Sequence, residues 1–191
     1  MSDTDTLPMA PKHGWFVRVI LILVCGLLAA MWVYYFFFAP ERGVYQLEDT
    51  SWREKASPIC EAAQAERAEL VETSDGFISN PTPEQMLERA EIVDQATDII
   101  EQMLDDIVAI PVDNDDDRLR LATFEENYRL VIVDRRRYTA ALRELKFEPY
   151  TETVVGGGPV SNVVFDFTAG VKSNDVPECS PPGELGGRIE P

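Results

Sequence analysis

Residues 19–38 (VILILVCGLLAAMWVYYFFF) are twenty consecutive positions without a charge. At about 1.5 Å of rise per residue such a helix is roughly 30 Å long, the thickness of the hydrocarbon core of a bilayer. The sequence beyond it is polar and acidic. That contrast predicts one membrane helix followed by one water-exposed domain.

A cleaved signal peptide is the competing reading for an apolar run near an amino terminus. Signal-peptide cores are shorter, about 7–15 residues, and end in small side chains that a peptidase accepts. Here the run closes on Tyr34, Tyr35, Phe36, Phe37 and Phe38, followed by Ala39 and Pro40. Trp15 and Phe16 at one end, with Trp32, Tyr34 and Tyr35 near the other, match the aromatic belts of membrane interfaces. The expectation is a retained anchor that meets the lipid bilayer directly.

Lys12 and Arg18 flank the start of the run, against Arg42 beyond its end. The positive-inside rule therefore places the amino terminus in the cytoplasm and the domain outside the cell membrane. Cysteine usage points the same way. Cys25 lies within the apolar run, leaving Cys60 and Cys179 near the two ends of the domain. A disulfide between them would require an oxidising compartment; spacing alone also allows two free thiols.

The formal net charge is −17. Asp3 and Asp5 cancel Lys12 and Arg18, so the whole excess lies beyond the apolar run. Such a surface repels phosphate backbones, and nucleic acid is not an expected partner.

The domain reads as all-α. Ser57 and Pro58 have the form of an N-cap and first helical residue. They predict a short helix over 59–73, with Ile59, Ala63 and Leu70 toward one side. Thr82 followed by Gln85 forms a capping box. From there Met86, Ala90, Val93, Thr97, Ile100, Leu104 and Ile107 step by three and four, predicting a helix over 83–110. Leu121, Phe124, Tyr128, Val131, Arg135, Tyr138, Leu142 and Leu145 repeat the pattern over 118–146. These two long helices are expected to form an antiparallel hairpin around the acidic link 113–117, with the short helix on its open side.

Gly156, Gly157 and Gly158 exclude a regular helix over 147–160. Residues 161–168 fit either a short helix capped by Ser161 or a buried strand, and periodicity does not choose. The expected layout is a short cytoplasmic terminus (1–14), membrane helix (15–38), juxtamembrane spacer (39–56), extracytoplasmic helical domain (57–180) and flexible, proline-rich tail (181–191).

Chemistry is bounded by residues the domain lacks. Its only candidate histidine, His13, precedes the apolar run. Histidine-dependent nucleophilic catalysis and histidine-ligated zinc are thereby unavailable to the domain. The glycine triplet has no P-loop lysine after it. The acidic link fails as an EF-hand, since the sixth and twelfth positions from Asp113 are Arg118 and Thr123. It reads instead as a solvated turn capping the next helix. The acids of the second helix, Glu84, Glu88, Glu91, Asp94, Asp98, Glu101 and Asp105, read as a solvated or arginine-paired face. No cofactor and no metal site is expected.

Arg135 holds a seam position between the long helices. A buried, unpaired guanidinium is costly, so Asp94 or Asp98 is its expected partner. Arg136 and Arg137 are expected to face water. About 18 residues precede the apolar run, too few for a folded output domain on that side. Together these readings predict a non-catalytic, membrane-anchored helical domain acting through an envelope or membrane protein partner. Two alternatives are an accessory subunit of a larger membrane complex and a carboxylate-based cation-binding domain or enzyme.

Overall fold

The computed structural model describes residues 13–38, 43–70 and 80–183. The chain divides into two units, residues 1–41 and 42–191. Most of the expected cytoplasmic terminus, residues 39–42 of the expected spacer, residues 71–73 of the first expected helix and the tail from 184 onward lie outside the described residues.

The first unit is helix α1, His13–Phe38. The stretch from Gly14 to Phe38 contains an 18-residue window of mean hydropathy 2.6 and presents apolar side chains all round. It is long and apolar enough to cross a membrane, and lacks the polar face that a surface helix needs. Trp32 stacks on Phe36, and Tyr34 on Phe38, one turn apart.

The second unit is helical, with α2 (Thr50–Glu69), α3 (Pro83–Val108), α4 (Asp115–Arg143) and α5 (Val160–Thr168). A two-residue hairpin of β1 (Val154–Val155) and β2 (Gly158–Pro159) precedes α5, and a 3-10 turn spans Pro177–Cys179. The all-α architecture and the long helix hairpin agree with the sequence.

The start of α2 differs from expectation. The helix begins at Thr50, capped by Asp49, whose carboxylate accepts the Ser51 N–H at 2.9 Å. Pro58 falls inside it. An interior proline costs about 3 kcal/mol. Extending the helix backward buries Trp52 completely, along with Ala56. Burying an aromatic of that size contributes about 4–6 kcal/mol at 25 cal/mol per Å². The gain exceeds the cost, and residues expected in a spacer join the core instead.

Trp52 is the hub of that core. Its indole N–H donates to the Ile107 carbonyl at 3.1 Å, and its ring meets Phe167 edge-on at 5.7 Å. Phe167, from α5, stacks on Phe124 of α4 at 4.1 Å. The segment 161–168 is thus resolved as helix, with Phe167 wedged between α2 and α4. Gly156 (φ 63°) and Gly157 (φ 92°) form the tight turn before it, the left-handed pair that a two-residue hairpin requires.

Helix α3 carries the expected capping box, Thr82 with Gln85. Every residue of its predicted apolar stripe is buried. On α4, Leu121, Phe124, Tyr128, Val131, Arg135 and Leu142 are buried, while Tyr138 is partly so. Leu145 departs from the seam. It adopts a left-handed φ of 58° just past the helix end and is half exposed.

Across the hairpin Arg135 meets Thr97, and Arg129 meets Asp105.

Candidate functional site

Two features of the second unit concentrate its polar chemistry: a stitched junction where the chain enters the domain, and an open groove between α2 and α3.

At the junction, residues 43–49 are held by polar groups from distant parts of the chain. Gly43 lies against the Lys172 carbonyl so closely that a Cβ at that position would sit 2.0 Å from the oxygen. The Leu47 N–H donates to Asn174 Oδ1 at 2.8 Å, and Asn174 Nδ2 donates to the carbonyls of Tyr45 and Phe167 at 3.0 Å. The Glu48 and Asp49 N–H groups both donate to the Asp117 carboxylate, at 2.8 and 2.9 Å. Asn114 Nδ2 and Arg120 complete its shell, each at 2.9 Å.

Asp117 is 0% exposed. Burial pushes its carboxyl upward in pKa, but the donated bonds from Glu48, Asp49, Asn114 and Arg120 outweigh burial and hold it below the usual carboxylate range. The acidic link is therefore only partly the solvated turn expected. Asn114 caps α4, accepting the Asp117 N–H at 2.7 Å, while Asp117 turns inward and gathers the starts of α2 and α4. Composition alone could not separate Asp117 from Asp115 and Asp116. The available signal was its position three residues after Asn114.

The carboxyl-terminal segment stitches the same region from outside. Arg53 pairs with Asp175 at 2.7 Å, and Ser57 donates to Glu178. Cys60 and Cys179 form the expected disulfide, both fully buried.

Arg135 is 1% exposed, and its Nε donates to Thr97 Oγ1 at 2.9 Å. Asp94 and Asp98 both pair with Arg136, Asp94 at 3.2 Å, with Glu101 joining at 3.3 Å. The register of the hairpin sets Arg135 beside a hydroxyl and its neighbour over the acids. Asp94 also accepts from Arg143 and Thr139. Burial raises its carboxyl, yet Thr139, Arg143 and Arg136 together hold it below its ordinary value. Arg137, expected in water, pairs with the buried Asp134 at 2.8 Å while staying exposed itself. Arg129 meets Asp105 and Glu125 at 2.6 and 2.9 Å. The arginines of α4 thus neutralise one flank of α3.

The other flank of α3 faces α2 across a groove of about 670 Å³. Helix α2 contributes Ile59, Ala62, Ala63 and Glu66; α3 contributes Ile99, Gln102, Met103 and Asp106. Both sets follow the spacing i, i+3, i+4, i+7, which is one helix face. Trp52 meets Ile107 while residues 59–66 lie beside 98–106, so the two helices run antiparallel. Glu66 and Asp98 consequently mark one end of an apolar floor and Asp106 the other, eight residues or about 12 Å apart along α3. Among the described residues no basic side chain lines the groove. The spacing of Ile59 and Ala63 predicts a packing face, and the structure leaves part of that face open.

Among the described residues no three His, Cys, Asp or Glu side chains come together as a metal site. No family model matches the chain, and no match was found among curated proteins or solved structures.

Proposed function

We propose that this chain is a single-pass membrane protein whose helical domain stands outside the cytoplasm and works by binding another envelope or membrane protein, without catalysis. The observation carrying the reading is the α2–α3 groove, a partly exposed apolar floor with carboxylates at both ends. Asp94, Asp98, Glu101 and Asp105 of α3 are paired with arginines of α4, whereas Glu66 and Asp106 bring charge to the rim of the apolar floor. The anchor reading draws support from α1, which is apolar on every side, and the external placement from the Cys60–Cys179 bond, at home in an oxidising compartment. The absence of histidine beyond the anchor supports a non-catalytic role.

The test begins with topology. Protease added to intact cells, with any outer barrier permeabilised, should remove the region beyond residue 42; full protection would refute the external placement. Exchange of α1 for an unrelated membrane helix then separates two modes of action. Retained partner binding supports a tethered domain. Loss of association with unchanged folding assigns the contact to α1, as expected of an accessory subunit.

A further inference from the structure

We infer that the α2–α3 groove accepts about two turns of an amphipathic helix from a partner protein, with an apolar stripe bracketed by Lys or Arg. This rests on the protein-contact reading and specifies its partner.

The shape argument comes first. Two antiparallel helices presenting the same i, i+3, i+4, i+7 stripe make a trough, the surface into which a third helix packs at about 8–10 Å between axes. Ala62 and Ala63 permit that approach because they have little side chain to displace. Ile59 and Ile99, both partly exposed, supply the surface for apolar anchors at i, i+3 or i+4, and i+7. Met103, buried beneath them, is a flexible side chain that can shift under the occupant.

Charge then selects among occupants. Carboxylates at both ends, about 12 Å apart, favour cations spaced about two turns apart on the incoming helix. A second copy of this chain is a poor fit, since it carries a net charge of −17. Anionic lipid is repelled on the same ground. The ligand chemistry the groove selects is therefore a basic-flanked apolar helix.

The experiment uses the full chain in zwitterionic nanodiscs. The probe is a helical peptide with photoreactive leucine analogues at i, i+4 and i+7 and lysines at both ends; a second carries glutamates in place of the lysines. Adduct sites are mapped by mass spectrometry, so partitioning into lipid does not contribute. Lysine-peptide adducts should concentrate on residues 59–66 of α2 and 99–106 of α3. Glu66→Lys with Asp106→Lys should lower their yield about tenfold, as expected for two rim charges, and should admit the glutamate peptide. Glu84→Lys with Glu88→Lys makes the same charge change elsewhere and should leave the yield unchanged. Unaltered thermal melts establish that each variant is folded. Adducts scattered over the acidic surface, or equal losses in both double variants, would overturn the inference. If adducts avoid the groove while discrete protein crosslinks form in native membranes from other faces of the domain, the groove assignment falls and the protein-contact reading stands.

Discussion

Replacing Asp117 by Ala removes the acceptor for the N–H groups of Glu48 and Asp49, the Asn114 amide and the Arg120 guanidinium. Hydrogen bonds to a charged group contribute about 1.5–3 kcal/mol each, and they are not additive within one cluster. The expected loss is about 3–5 kcal/mol, comparable to removing one member of a buried ion pair. Asp117→Asn keeps the shape and one acceptor oxygen, and should cost roughly half as much. Asp116→Ala is the control, because Asp116 is exposed in the same helical turn; losing its favourable interaction with the helix dipole should cost at most about 1 kcal/mol. Urea unfolding of the full chain in detergent, followed by Trp52 fluorescence with Trp15 and Trp32 changed to Phe, measures all three. Near-equal effects for Asp117→Ala and Asp116→Ala would refute the claim that the junction is held by a buried carboxylate.

Three further outcomes follow from the same geometry. Loss of the Cys60–Cys179 bond by replacement of both residues with Ser should destabilise the domain by about 4–5 kcal/mol, as the entropy model gives for a loop of more than 100 residues; an unchanged urea midpoint would contradict this. Arg135→Ala should cost about 2–4 kcal/mol for emptying a large buried position, whereas Arg136→Ala should cost about 1 kcal/mol because its ion pairs are partly solvated; the reverse order would contradict the register found here. Asp94 and Asp117 have folded pKa values below the ordinary 3.8, so their contribution is complete above that value and is lost as pH falls through the lower folded values. Acid titration of the urea midpoint should show stability declining below about pH 4, with a shallower decline in Asp117→Asn.

The legible part of this fold was the part governed by period and capping. Apolar positions at three- and four-residue steps located α3 and α4, and the Thr82–Gln85 box gave the start of α3. Local rules failed where tertiary burial outweighed them. Pro58 has the local form of a helix start, but burial of Trp52 and Ala56 extends α2 through it. The acidic link reads as water-facing because composition treats its aspartates alike, while only Asp117 meets the entering backbone. The role of Arg136 was not legible either, because which arginine of α4 lies over Asp94 and Asp98 is decided by the register of the hairpin, not by spacing along one helix. The groove depends on how α2 lies against α3, a long-range relation that no local pattern encodes.

The most direct test of the central claim is site-specific crosslinking in native membranes. A photoreactive residue at Gln102, in the groove, is compared with one at Glu126, an exposed position on α4 that does not line it. The account predicts a discrete protein adduct from Gln102 alone, lost in the Glu66→Lys, Asp106→Lys variant, with the adduct mapping to a basic-flanked apolar helix of the partner. Equal adducts from both positions, or adducts to lipid only, would contradict it.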